Sequence, residues 1–165
     1  MRRTPTRPIR EVALLLLGRR DHTATELRQK LRMRGFAPDD IDALLPRLQE
    51  LGLVDDRRTA RLLVEREVAA RRAGPALIRA KLAAKGVAPG VADECLGALT
   101  HDWELDQART AAQRWAARHR KEGAWQAALI RHLRARGFSW DAVRRAVESS
   151  GSDPDDWRLM PHDEP

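Results

Sequence analysis

Three glycines, Gly35, Gly86 and Gly137, stand 51 residues apart, and each closes the same phrase. The stretches read ELRQKLRMRGF (26–36), LIRAKLAAKGV (77–87) and LIRHLRARGF (129–138). Eight residues before the glycine come Leu27, Ile78 and Leu129, and four before it Leu31, Leu82 and Leu133. Arg34, Lys85 or Arg136 precedes it and Phe36, Val87 or Phe138 follows, while Leu45, Leu96 and Val147 fall in register further on. Asp55-x-x-Arg58-Thr59-Ala60 and Asp106-x-x-Arg109-Thr110-Ala111 obey the same offset. Repetition at this period means tandem supersecondary units, none of which buries its apolar face alone.

Each unit reads as three helices, and the fold class is all-α: three tandem three-helix repeats. In the first, a helix over 9–17 precedes one that opens at Thr23-Ala-Thr-Glu26, a capping-box pattern, and stops at Gly35, a left-handed C-cap. The third helix starts at Pro38, with Asp39 and Asp40 complementing its dipole, and runs to about Leu51. Pro46 within it should kink it or end it early. The second unit predicts helices over 55–72, 75–85 and 89–99; the third, over 102–121, 124–136 and 140–148, the last capped by Ser139. Alternating β-branched runs and hairpin dipeptides are absent. The modules are thus 1–54, with a basic N-terminal arm, 55–101 and 102–150, followed by a tail, 151–165, expected to be disordered.

Charge is unevenly spread. The chain carries a net +7, but its last 15 residues hold five acids and one arginine, so the first 150 carry +11. Such a surface favours a polyanionic partner, nucleic acid being the commonest; arginine-rich helices kept soluble by charge are the alternative. Cys95, the single cysteine, excludes an intramolecular disulfide and a thiolate zinc site and reads as small core filler. The apolar run 12–17 ends in Gly-Arg-Arg-Asp and is too short for export or a membrane span. A soluble, cytoplasmic monomer is expected.

Catalytic chemistry is not evident. Phosphate-loop and dinucleotide-turn glycines are missing, and His22, His101, His119, His132 and His162 are scattered and read as surface residues. Asp39-Asp40 and Asp55-Asp56 open predicted helices and serve better as caps than as metal ligands, while Asp155-Asp156 lies in the tail. Neither an enzyme, a cofactor nor a metal is expected. The remaining signal is basic. Arg28, Lys30, Arg32 and Arg34 flank the leucines of the first phrase, Arg79, Lys81 and Lys85 those of the second, Arg131, Arg134 and Arg136 those of the third. Arg57 and Arg58 lie at a module junction. Spacings of three and four residues set these side chains in stripes beside the buried face. Trp115, Trp125 and Trp140 could stack on bases, though tryptophan at helical spacing fits core packing better.

The ordered set of motifs resembles the RecX family, regulators of the RecA recombinase. It comprises Ala13-Leu-Leu-Leu-Leu-Gly-Arg19-Arg-Asp, Thr25-Glu-Leu-Arg-Gln-Lys-Leu31, Leu48-Gln-Glu-Leu-Gly-Leu-Val-Asp55-Asp56 with Ala60, Gly74-Pro75…Ile78…Leu82…Lys85-Gly86-Val87, and Arg136-Gly137-Phe138-Ser139. It covers residues 10–150. Thr59 departs from the pattern, standing where the family usually has an aromatic. The resemblance implies an elongated, curved array of three repeats. It also implies a non-enzymatic protein that binds RecA on single-stranded DNA and restrains its ATP hydrolysis, strand exchange and co-protease activity, acting on recombination, DNA repair and the SOS response. The twelve basic residues named above would then contact filament DNA, single-stranded or also duplex, or acidic recombinase surface. A general DNA-binding helical module without recombinase specificity is the rival reading.

Overall fold

The computed structural model describes residues 6–119 and 125–151. Among them the secondary structure is helical throughout: α1 (Ile9–Leu17), α2 (Ala24–Met33), α3 (Pro38–Glu50), α4 (Asp56–Ala70), α5 (Pro75–Ala84), α6 (Pro89–Leu96), α7 (His101–His119), α8 (Trp125–Ala135) and α9 (Trp140–Glu148). Of the tail, residues 152–165 lie outside the described residues.

Local signals place most boundaries. The Thr23 hydroxyl accepts the Glu26 amide while the Glu26 carboxylate accepts the Thr23 amide, so the capping box is complete. Ser139 caps α9 through the Ala142 amide, and proline occupies the first turn of α3 and α6. Pro46 departs from expectation, since α3 runs through it to Glu50. An interior proline costs about 3 kcal/mol, but Leu45 and Leu48 on either side of it are buried and hold the last turn to the core. α4 ends at Ala70, before the expected Arg72, because Arg71 turns to a left-handed φ of 50°.

By packing, the chain divides into two compact units, residues 1–66 with 79–97, and 67–78 with 98–165. In the first, α1, α2 and α3 enclose Ala13, Leu27, Leu31, Ile41, Leu45 and Leu48. In the second, alanines of α7 (Ala108, Ala111, Ala112) let α8 and α9 approach closely around Leu129, Leu133, Val143 and Val147, under Phe138. The in-register positions Leu27, Ile78, Leu129, Leu31, Leu82 and Leu133 are all fully buried, each contributing about 1.5–3 kcal/mol.

The recurring glycines do more than end helices. Gly35, Gly86 and Gly137 have φ of 91°, 74° and 79°, a region L-residues enter at a cost of roughly 1–2 kcal/mol. Gly86, at the end of α5, lies against Thr25 at the start of α2. There the Thr23 hydroxyl donates to the Lys85 carbonyl at 2.5 Å, and the Thr25 hydroxyl reaches the Gly86 carbonyl at 3.4 Å. Gly137, at the end of α8, lies against Leu77 at the start of α5. Here the Gly74 amide donates to the Arg136 carbonyl at 2.8 Å, and the Ala76 amide to the Gly137 carbonyl at 3.2 Å. Donors and acceptors in the two joints are related by the 51-residue offset. Each matches orphan carbonyls at one helix end with donors at another helix's start.

A glycine-to-alanine series separates the two demands. Gly90→Ala, inside α6 with open space around it, should stabilise by about 0.5–1 kcal/mol. Gly52→Ala, at φ 65° with nothing nearby, should cost about 1 kcal/mol from the backbone alone. Gly137→Ala adds a collision with the Leu77 backbone and should cost at least about 1 kcal/mol more than Gly52→Ala. Urea unfolding midpoints decide it; equal losses at positions 52 and 137 would refute the joint.

Candidate nucleic-acid interface

The twelve basic residues occupy different situations. In the first unit Arg28 pairs with Asp42 at 2.8 Å and Arg79 with Asp93, two pairs related by the 51-residue offset. Arg57 pairs with Glu94 at 3.1 Å, Arg58 with Asp21 at 2.9 Å and Lys85 with Glu26 at 2.6 Å. Arg34 donates to the Lys30 carbonyl, Arg32 is exposed, and Lys30 and Lys81 are half-buried. In the second unit Arg131 is exposed. The Arg134 guanidinium bonds the Phe138 carbonyl and lies 4.7 Å from the Trp140 ring centre. Arg136 donates to the Arg72 carbonyl at 2.9 Å. Exposed pairs such as Arg28–Asp42 contribute about 0–1 kcal/mol, so a phosphate can displace the carboxylate at little cost.

Asp39 and Asp40 stand in the first turn of α3, and the Asp55-Asp56 pair serves two helix starts, while Asp155-Asp156 lies outside the described residues. Asp55 accepts the Arg58 amide within α4, and Asp56 accepts the Ala24 amide at the start of α2. Among the described residues no group of histidine, cysteine, aspartate and glutamate could hold a metal ion. Cys95 is half-buried.

Glu26 knots the first unit together. Arg20 at 3.0 Å and Lys85 at 2.6 Å both pair with its carboxylate. Burial works against the charged form, yet hydrogen bonds from Arg20, Lys85 and the Thr23 amide outweigh it and bring the pKa from 4.5 to about 2. His22 corrects the expectation of a surface residue: its ring is buried beside Glu26, Nδ1 to Oε2 3.8 Å. Burial, then Arg20, keep its pKa below the ordinary 6.5.

The second unit holds a basic cleft of about 890 Å³ that the sequence does not announce. Arg71 and Arg72 reach it from beyond α4, Arg114 and Arg118 from α7, and Arg136 from the end of α8. Of these only Arg136 belongs to the repeated phrase. Trp115 lines the cleft too, its ring 4.6 Å from His119 and 5.9 Å from His132. It also packs on the core, as Trp125 does.

Comparison with known proteins addresses what such a chain is. Residues 10–48, spanning α1–α3, match the model of the first three-helix domain of RecX, and residues 55–96, spanning α4–α6, that of the second. The regulatory protein RecX of Halorhodospira halophila is 41% identical over 149 residues, 88% of this chain and 89% of that protein. The chain belongs to the RecX family. RecX of Chromohalobacter salexigens is 39% identical over 84% of this chain and 90% of its own length. The crystal structure of RecX from Lactobacillus salivarius superposes with a TM-score of 0.74 over 86% of this chain and 93% of that one, at 24% identity. A second RecX crystal structure gives 0.79 over 85% and 71%, at 21% identity. The RecX fold is therefore shared across weakly similar sequences. No helix among the described residues is long and apolar enough to cross a membrane.

The shifted groups set the acid limb of stability. Both His22 and His132 are held below the ordinary imidazole value, so their share is present above pH 6.5 and falls as the unfolded chain takes up protons below it. Glu26, depressed from 4.5 to about 2, contributes fully above pH 4.5 and loses that share as pH falls toward 2. The contribution is at most about 3 kcal/mol. Glu26→Gln should lower stability at pH 7, flatten the curve between pH 4.5 and 2, and deepen the step below 6.5, because the Glu26 charge holds the His22 pKa up. Urea titrations across pH test this; an unchanged lower limb would remove Glu26 from its role.

Proposed function

We propose that this chain binds the RecA filament on single-stranded DNA and restrains its ATPase, strand-exchange and co-protease activities, acting as a regulator of recombination, DNA repair and the SOS response. The observation that carries the reading is family membership over most of the chain, joined to a basic residue before the glycine of every module (Arg34, Lys85, Arg136) and to further basic positions shared by two of the three. A polyanion-containing filament presents the same groups at regular intervals. A ligand with contacts at a fixed period gains avidity from many weak ones. The reading needs no catalytic residues: the module surfaces act by occupancy.

A general DNA-binding module is the second reading, favoured by the basic cleft, which needs no recombinase to attract a phosphodiester chain. The two part on one comparison. If the recombinase adds nothing to affinity for bare DNA, the general module wins; if the filament is bound more tightly than either component, the regulator does.

Arg28 is a poor first mutation, because glutamate there would face Asp42. Lys30 and Arg32 share the same helix and make no ion pair among the described residues. Lys30→Glu with Arg32→Glu should therefore leave the fold intact and raise the concentration needed for half-inhibition of single-stranded-DNA-dependent ATP hydrolysis by about tenfold. A folded double variant as potent as the wild type would take α2 out of the interface.

A further inference from the structure

The cleft of the second unit differs in kind from the helix faces. Carboxylates neutralise Arg28, Arg57, Arg58, Arg79 and Lys85. Among the described residues none pairs with Arg71, Arg72, Arg114 or Arg118, and none lines the cleft. Four guanidiniums without counter-ions among the described residues, joined by Arg136, form an electropositive groove whose planar forks match phosphate oxygens. Arg71 is the one described non-glycine residue with a left-handed φ, 50°, a conformation disfavoured by its Cβ. Leaving the helix at that point lets two consecutive residues, Arg71 and Arg72, both face the cleft.

The groove also has an aromatic wall. Trp115, His119 and His132 stack at tilts of 31° and 42°. Burial, then Arg136 and His119, keep His132 below its ordinary pKa, so its ring stays neutral in a positive field. Indole and imidazole faces beside guanidiniums are what a base and its phosphate require together.

We propose that this cleft holds an unpaired nucleotide of a single strand, with its phosphates on Arg71, Arg72, Arg114 and Arg118 and its base against the Trp115–His119–His132 wall. The inference deepens the function proposed above and rests on it only for the biological setting. An acidic protein surface would use the charges and leave the rings idle, and a duplex has no free base face to offer them. A strand supplies successive phosphates, which suits arginines arriving from three separate segments.

The test uses the full chain and a fluorescein-labelled oligothymidylate. Arg71→Ala with Arg72→Ala, and Arg114→Ala with Arg118→Ala, remove exposed side chains that have no ion-pair partner among the described residues, so circular dichroism should be unchanged. Each pair should weaken binding at least tenfold and make the slope of log affinity against log salt shallower by about 1.4, for two phosphates on a single strand. The oligonucleotide should quench indole emission in the wild type and by a smaller fraction in Trp115→Phe. Affinity within twofold of the wild type for both double variants would overturn the assignment. So would retained oligonucleotide affinity with loss of binding to the recombinase filament, since the cleft would then serve an acidic protein surface. A nucleoside triphosphate that competes at concentrations equal to the oligonucleotide would overturn it in favour of a free-nucleotide site. Loss of strand binding in the cleft variants, in a protein without effect on recombinase ATPase, would keep this inference and defeat the wider function.

Discussion

A second helix ends on a left-handed glycine, and its last two carbonyls are met by donors from the start of another second helix. Every helix leaves four carbonyls and four amides without internal partners, and tandem helices can satisfy one set with the other. The opposed partial charges of the two ends add to the attraction. In the first unit the donor is the Thr23 hydroxyl; in the second it is the Gly74 amide. Thr23 accepts from the Glu26 amide at the same time, so the joint needs a hydroxyl, which can do both, and a carboxylate could not replace it. Gly74 works differently: with no side chain, its backbone comes within bonding distance of the Arg136 carbonyl. Removing Cβ from Gly86 and Gly137 is what permits either approach.

Much of this arrangement is written in the sequence, because helix signals are local. The capping box at Thr23, the Ser139 cap, the buried leucine pairs and the glycine C-caps all depend on residues within one or two turns. Pro46 escaped such reasoning, since the burial of Leu45 and Leu48 that carries α3 past it is tertiary. His22 escaped for the same reason, being covered beside a carboxylate that Lys85, 59 positions away from it, helps to hold. The joints were legible only in their glycines. Their donors change chemical type from one module to the next, so no residue pattern repeats even though the positions do.

Charge was harder to read than packing. A basic residue on a helix gives the same letter whether it is neutralised or open. Arg28 and Arg79 each find an aspartate 14 residues on. That recurrence was present in the sequence, and the repeat offset applied to Asp42 and Asp93 would have revealed it. In the third module the equivalent of Arg79 is Ile130, and the equivalent of Asp93 is Arg144, so the pair is lost and positive charge is left over. The cleft arginines carry no such signature. They come from a helix exit, the outer face of α7 and the end of α8, and only folding brings them to one groove.

Two kinds of basic residue follow from this division, and they answer salt differently. An arginine already paired with a carboxylate must break that pair to take a phosphate, so part of the electrostatic gain is cancelled and its net salt dependence is small. An unpaired arginine releases a counter-ion for each phosphate it neutralises and carries the full dependence. The helix-face pairs are thus suited to holding the modules in shape while offering weak, exchangeable contacts, and the cleft is suited to steep, charge-driven capture of a strand. Because Arg136 precedes the glycine of a joint and donates to the carbonyl of Arg72 across the cleft, the groove is built on the same contact that fixes α8 against the start of α5. Any change that loosens Gly137 must therefore also spread the arginines, which ties the affinity of the groove to the integrity of the repeat.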